Sequence, residues 1–200
     1  MKIFCIGRNY RAHIDELQNN VPAEPVIFMK PKSALARQNF PINYPPFSDN
    51  VHYEAEVVLK ISKNGKNIPL SDTHNYYQEW SLGVDFTARD LQDSLKKQGL
   101  PWEKAKAFDN SAFVGTFLPV SPDKKASFEF YVNDELKQSG NTDDMLFDFS
   151  HIIHHISTYF SLQIGDLIFT GTPQGVGPIL PFDEIRGVLN GEEVFSNYIK

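Results

Sequence analysis

Glu54 and Glu56 stand two residues apart in the run His52-Tyr53-Glu54-Ala55-Glu56-Val57-Val58-Leu59, which otherwise has the make-up of a buried strand. Successive strand side chains point to opposite faces, so the two carboxylates share one face and Ala55, Val57 and Leu59 the other. Like charges held side by side disfavour ionisation unless a cation intervenes. A third acid, Asp85, sits in a similar apolar setting, Ser81-Leu82-Gly83-Val84-Asp85-Phe86-Thr87. Three carboxylates without a cysteine suit Mg²⁺, Mn²⁺ or Ca²⁺ better than structural Zn²⁺. Two other readings stay open here. The acids could form the polar face of a half-exposed strand, although three consecutive apolar residues at 57–59 point to a strand covered on both sides. His52 lies on the same face and leaves room for a His-and-carboxylate iron centre.

Other residues could join this chemistry, and each has an ordinary reading too. Asp85 precedes a predicted helix and could be its N-cap. Alternatively, Thr87 caps that helix with Asp90 in the capping-box position, freeing Asp85 as a ligand. Arg89 and Lys106 read first as surface cations. Arg offers a planar fork for a carboxylate, and Lys a point charge for a developing enolate. Lys106 stands out because Ala105, Ala107 and Phe108 flank it. His13 and Glu16, spaced i, i+3 on a predicted helix, can meet as an exposed pair or as an oriented general base. His151, His154 and His155 look like a metal motif but fall opposite an apolar helical stripe, so solvent exposure is expected. The Gly-rich loop 171–177 lacks the pattern of a phosphate-binding P-loop or dinucleotide fingerprint; it reads as a tight turn or an anion-holding backbone.

The elements that must position these residues are short. Strands are predicted at 2–6, 26–29, 52–61, 80–87, 112–119, 127–133, 166–170, 182–188 and 191–199, and helices at 9–18, 88–99 and 150–160. Proline and turn residues make 38–50 a loop, Ser121-Pro122-Asp123 a turn, and Asn133-Asp134 a hairpin into Glu135–Gln138. The helical stripe over 150–160 is Ile152, Ile153, Ile156, Tyr159 and Phe160. Many short strands with few helices predict an α+β, β-rich fold. With 200 residues, 41% hydrophobic and 22% charged, one domain over 1–200 is expected. The net charge of -6 gives no support for a nucleic-acid surface. No apolar run approaches the roughly 20 residues of a membrane span. Cys5, the one cysteine, is expected to be a small buried hydrophobe. The N-terminus enters a strand-like run at once, and a cytoplasmic location is expected.

Taken in order, several segments resemble the fumarylacetoacetate hydrolase superfamily through nearly the whole chain. They are Gly7-Arg8-Asn9-Tyr10, His13 with Glu16, Pro22 to Pro31, His52 to Glu56, and Asp85 to Asp90. Gly99-Leu100-Pro101-Trp102 with Lys106 and Phe108 follows, then Asn141-Thr142 with Met145, Gly165-Asp166, and Gly171-Thr172-Pro173 with Gly175-Val176-Gly177. The resemblance implies a mixed β-sandwich roll that assembles as a homodimer. It implies that Glu54, Glu56 and Asp85 bind Mg²⁺ or Mn²⁺, with Lys106 beside the substrate, Arg89 near a substrate carboxylate, and Thr172 lining the pocket. The chain looks most like the acylpyruvase and oxaloacetate decarboxylase branch. There, a His–Glu pair rides on a lid helix, and His13 and Glu16 match that pair.

The expected reaction is metal-dependent cleavage of a C–C bond in a small 2-oxo acid such as an acylpyruvate, through a pyruvate enolate. Decarboxylation of oxaloacetate would use the same site without a nucleophilic water. The competing expectations are an isomerase or decarboxylase of unsaturated 2-oxo or 2-hydroxy diacids, a silent carboxylate-binding scaffold, and an iron oxygenase built on His52.

Overall fold

In the computed structural model, which describes residues 1–16, 20–120 and 125–200, the elements follow one another as short pieces. They are β1 (Ile3–Gly7), α1 (Arg11–Glu16), β2 (Val26–Lys30), β3 (Val51–Tyr53), β4 (Ala55–Ile61), β5 (Tyr77–Asp85) and β6 (Thr87–Ala88). Next come α2 (Arg89–Gln98), α3 (Glu103–Lys106), β7 (Ala112–Val114), β8 (Leu118–Pro119), β9 (Ser127–Val132) and β10 (Glu135–Asn141). The last are α4 (Phe149–Tyr159), β11 (Leu167–Phe169), β12 (Gly177–Pro178), β13 (Glu184–Leu189) and β14 (Glu192–Tyr198). The predicted turn at Ser121-Pro122-Asp123 and positions 17 and 18 of the predicted first helix lie outside the described residues.

Among the described residues, one sheet runs β2-β1-β11-β4-β5-β7 with β8 also on β5; a second runs β10-β9-β13-β14, and a third β12-β3-β6. Only β1 and β11 pair in parallel within these sheets. The result is the α+β, β-rich mixed roll that the sequence predicts. The main core joins the first two sheets through Phe4, Leu59, Leu82 and Phe113 on one side and Phe130, Ile185 and Phe195 on the other. A second cluster of Ile3, Cys5, Val58, Val114, Leu167 and Phe169 covers the opposite face of the first sheet. β4 is therefore apolar on both faces, which explains the unbroken Val57-Val58-Leu59. Each such buried side chain contributes about 2 kcal/mol. Burial also raises the Cys5 thiol well above its ordinary range, so it behaves as the expected small hydrophobe. No helix among the described residues is long and apolar enough to cross a membrane.

Two predicted strands break in the structure, and the break builds the site. The predicted strand at 52–61 divides at Glu54 into β3 and β4, and that at 80–87 divides at Phe86 into β5 and β6. The strand before Glu54 pairs with the strand after Phe86, in the third sheet (His52↔Thr87). The strand after Glu54 pairs with the strand before Phe86, in the first (Ala55↔Val84, Glu56↔Gly83). Both chains change sheet at the same level, and Asp85 N–H donates to Glu54 C=O at 2.8 Å across the corner. The predicted strand at 112–119 similarly divides into β7 and β8. The hairpin at Asn133-Asp134 forms as expected, both residues taking positive φ (49° and 63°), as a two-residue turn between twisted strands requires.

The helices need two corrections. Thr87 does not cap α2: the N-cap is Ala88 without a side-chain bond, because Thr87 is turned to Lys106. On α4, Asp148 caps the N-terminus and Ile152, Ile153 and Ile156 are buried as expected, but Tyr159 is exposed. Ser157 is buried in its place and accepts the Ile68 N–H at 2.8 Å. The histidines do not all face solvent either: His154 Nδ1 reaches Ile68 C=O at 2.7 Å. The segment running into the 3-10 turn Leu70–Asn75 covers part of the face that a helical wheel assigns to water.

Gly83 lets β5 lie close between its neighbours opposite Glu56. A Cβ there would meet Phe113 C=O at 2.6 Å and Val58 Cγ2 at 2.8 Å. Gly83→Ala is expected to destabilise the fold by about 1–3 kcal/mol, the usual result of overpacking. Urea unfolding measures it, and an unchanged midpoint would contradict the close packing described.

Candidate active site

The corner between the sheets gathers Glu54, Glu56 and Asp85 so that one oxygen from each lies within 4.8 Å of the others. All three are buried. Two are neutralised by side chains from later elements. Lys106, at the end of α3, places Nζ 2.7 Å from Glu54 Oε2 and 2.9 Å from Asp85 Oδ2, and donates to Thr87 Oγ1 at 2.5 Å. Arg89, the first residue of α2, reaches Glu54 Oε1 at 2.5 Å through one terminal nitrogen and Gln92 Oε1 at 2.6 Å through the other. Its Nε is buried without a partner.

Glu56 is treated differently. Its Oε2 accepts the Gly171 N–H at 2.6 Å, and no ion pair reaches it among the described residues. Burial, then the fields of Asp85 and Glu54, push its carboxyl well above the ordinary range. Burial would raise Glu54 too, but Lys106 and Arg89 outweigh it and hold that carboxyl low. Lys106 shows the converse: burial disfavours its charge, but Asp85 and Glu54 overcome that and keep the ammonium protonated. Among the described residues, cations reach Glu54 and Asp85 but not Glu56, the acid whose proton is held most strongly. Such an oxygen-only, carboxylate-rich pocket fits a hard divalent cation, whose charge would stabilise all three as anions.

Lys30, at the end of β2, went unrecognised in the sequence. Its side chain is fully buried, with Nζ 2.7 Å from Asp85 Oδ1 but off the hydrogen-bonding direction. Nζ donates instead to Lys106 C=O, to Ser111 C=O at 2.9 Å and to Ser111 Oγ at 3.1 Å. It thus holds both a site acid and the backbone of the site lysine. The signal was a lysine closing the apolar run Val26-Ile27-Phe28-Met29 before Pro31. Gln138 gave no local signal. From β10 its Oε1 accepts the Ala55 N–H at 2.9 Å, and its Nε2 donates to Thr172 Oγ1 at 2.8 Å and Pro173 C=O at 3.0 Å. It fixes the loop 171–177 against the start of β4.

That loop's N–H groups are taken by carboxyl oxygens of the protein itself. Gly171 N–H serves Glu56, and Gly175 N–H reaches Glu16 Oε1 at 3.1 Å. Gly171 takes φ 104°, and a Cβ there would lie 2.7 Å from Asn9 Cβ, so only glycine fits. Glu16 in turn meets His13 Nδ1 at 3.2 Å. His13 is buried rather than part of an exposed helix pair. His13, Glu54, Glu56, Asp85, Arg89, Lys106 and Thr172 line one cavity, with Glu16 behind His13. His52 does not join them. Its Nε2 lies 3.0 Å from Asn50 Oδ1, and it is not among the groups close enough to share a metal with the three acids, which counts against the iron-centre reading. The histidines of α4 form no metal cluster among the described residues.

The raised Glu56 carboxyl gives cation binding a pH dependence. Its proton must leave before the oxygen can serve a metal, so affinity should rise with pH from the ordinary carboxylate range up through the raised folded value. Mn²⁺ uptake by chelator-stripped protein should release a proton, read by calorimetry in two buffers of different ionisation enthalpy. Glu56→Gln should abolish the release and weaken Mn²⁺ binding by about tenfold or more. Equal heats in both buffers for the unmodified protein would contradict the assignment.

Known proteins share this sequence and architecture. The family model described as fumarylacetoacetate (FAA) hydrolase C-terminal matches residues 2–197. An oxaloacetate tautomerase of Mus musculus, described as mitochondrial, is 42% identical over 94% of this chain and 87% of its own length. An oxaloacetate tautomerase of Escherichia coli is 36% identical over 99% of this chain and 92% of its own. The crystal structure of fumarylpyruvate hydrolase from Pseudomonas aeruginosa, in complex with Mn²⁺ and pyruvate, superposes with a TM-score of 0.92 at 34% identity, covering 100% of this chain and 89% of that one. The chain belongs to the fumarylacetoacetate hydrolase family.

Proposed function

We propose that the protein is a divalent-metal-dependent enzyme that breaks a C–C bond in small 2-oxo acids, hydrolysing acylpyruvates and decarboxylating oxaloacetate through a common pyruvate enolate. The observation that carries this reading is the convergence of Glu54, Glu56 and Asp85 with Lys106 and Arg89 in one cavity faced by His13. Glu54, Glu56 and Asp85 would hold Mg²⁺ or Mn²⁺, with Ca²⁺ a substitute in vitro. The cation supplies Lewis acidity to a carbonyl flanked by a carboxylate.

The chain's own groups do the rest. Arg89, with its unpartnered buried Nε, offers a donor to the substrate carboxylate. Lys106 remains an ammonium and stabilises negative charge developing on the enolate oxygen. Thr172, held by Gln138, lines the same wall. With Nδ1–H donated to Glu16, His13 keeps its lone pair on Nε2 and serves as general base. For an acylpyruvate, His13 takes a proton from water as the oxygen attacks the distal carbonyl. The C–C bond then breaks, the acyl group leaves as an acid, and the electron pair passes to the pyruvate enolate. For oxaloacetate, the pair comes from the departing CO₂ and no water is needed.

A second reading is isomerisation, in which His13 carries a proton between the carbon and oxygen of a 2-oxo or 2-hydroxy diacid. The tautomerase names of the mouse and bacterial relatives favour it. The unit proposed is one catalytic domain over 1–200, working as a homodimer in the cytoplasm.

Chelator-stripped protein is supplied with Mg²⁺ or Mn²⁺ and either acetylpyruvate or oxaloacetate, and pyruvate release is followed. Metal-dependent pyruvate formation, lost in Glu54→Ala, is the expected result. No turnover of either substrate by protein that binds Mn²⁺ would shift the conclusion to isomerisation. In His13→Ala, acetylpyruvate hydrolysis should fall by about 10²–10⁴ while Mn²⁺ affinity holds. A matching fall in Mn²⁺ affinity would remove His13 from the role of base.

A further inference from the structure

We propose that Arg8 and Lys96 form a second anion subsite in the same cavity, which receives the distal carboxylate of a C4 dicarboxylic acid and selects it over acids with an uncharged far end. This rests on the function proposed above and assigns residues to a discrimination that reading leaves open.

Four cationic side chains, Arg8, Arg89, Lys96 and Lys106, line the cavity. Two of them are committed: Arg89 to Glu54, and Lys106 to Glu54 and Asp85. Arg8 and Lys96 form no ion pair and no side-chain hydrogen bond among the described residues. Both are half-buried. Burial, then the fields of Arg89, Arg8 and Lys106, hold the Lys96 ammonium below its ordinary range, with the exposed Asp93 acting against them. The Trp102 ring, 5.8 Å from Lys96 Nζ, is a weaker partner than a carboxylate. Two half-desolvated cations that line one cavity and lie within each other's field, with no anion paired to either among the described residues, are mutually destabilising. A carboxylate entering between them would relieve that repulsion and gain charge-assisted hydrogen bonds.

Both residues are also held in place. Arg8 takes a left-handed backbone conformation, φ 59°, which is strained for a side chain other than glycine and collects at functional sites. Asn9 enforces it: its amide donates to Phe147 C=O at 3.0 Å and Thr170 C=O at 2.8 Å, and its carbonyl accepts the Phe147 N–H at 2.8 Å. On α2, Arg89, Gln92 and Lys96 follow i, i+3, i+7 spacing and all three line the cavity. Lys96 therefore starts about 10 Å further along the helix axis than Arg89, and helical side chains lean back toward the N-terminus. The proximal carboxylate falls to Arg89 and the acids, the distal one to Arg8 and Lys96. The Gly7-Arg8-Asn9-Tyr10 run thereby gains a chemical role.

Malate and lactate are an unreactive matched pair that differs only in the distal carboxylate. Their binding to Mn²⁺-loaded protein is measured by calorimetry for the unmodified protein, Arg8→Gln, Lys96→Met, and the conservative Arg8→Lys and Lys96→Arg. The unmodified protein should bind malate at least about tenfold more tightly than lactate. Each neutral variant should erase most of that ratio while lactate affinity moves by less than about threefold, and the conservative variants should restore it. Equal affinities in the unmodified protein, or a ratio that survives both neutral variants, would overturn the subsite. Parallel loss of both ligands would also overturn it, marking the two cations as structural. The result is independent of turnover: a malate preference that depends on Arg8 and Lys96, in protein inactive on 2-oxo acids, would keep the subsite and reject the proposed reaction.

Discussion

The constraint that organises this molecule is the crowding of three buried carboxylates within 4.8 Å. Two full charges at that separation repel by about 3 kcal/mol even at an effective dielectric near 20, and burial adds several kcal/mol for each ion. No short strand could hold such a cluster unaided. Lys106 and Arg89 offset two of the charges, and Lys30 adds its field to Asp85 from behind. Glu56 remains as the acid without a cation among the described residues, and burial with the fields of Asp85 and Glu54 raises its carboxyl. The fold tolerates the cluster only where several elements converge, which is why the cations come from β2, α2 and α3 and not from neighbours in sequence.

Backbone geometry delivers the acids to that point. β3–β4 and β5–β6 run as one paired ribbon that leaves the third sheet and enters the first between Glu54 and Phe86. At this corner the side chains stop alternating between two covered faces and open into a cavity. The loop after β11 closes the opposite wall. Its glycines bring N–H groups to Glu56 and Glu16, so one loop tethers both the acid cluster and the helix that bears His13. The position of His13 over the cavity therefore depends on the contact between Glu16 and Gly175, which stand 159 residues apart in the chain.

What could be read locally was read because it is periodic or chemically conspicuous. Val57-Val58-Leu59 announced a strand covered on both faces, Ile152, Ile153 and Ile156 a helical stripe, and Glu54, Glu56 and Asp85 an acid cluster in apolar surroundings. Tyr159 and His154 were misplaced because a helical wheel assumes a single covered face, whereas α4 also packs under the segment from Ile68 to Asn75. The unbroken strands expected at 52–61 and 80–87 failed for a related reason. Composition stays strand-like through Glu54 and Phe86, and only the pairing partner changes.

The sequence by itself determined the acids, the glycine-rich loop that reads as a tight turn or an anion-holding backbone, and the resemblance that joined these segments into one site. Those properties reside in residue type and spacing. Tertiary structure alone decided that Lys30 and Gln138 reach the acid cluster and its loop, that His52 lies outside the group of candidate ligands, and that Arg8 and Lys96 line the same cavity with no acid paired to either among the described residues. Ion pairing and desolvation depend on distance in space, and contacts such as Lys30 with Asp85 or Gln138 with Thr172 join elements far apart in the chain. No local pattern encodes them.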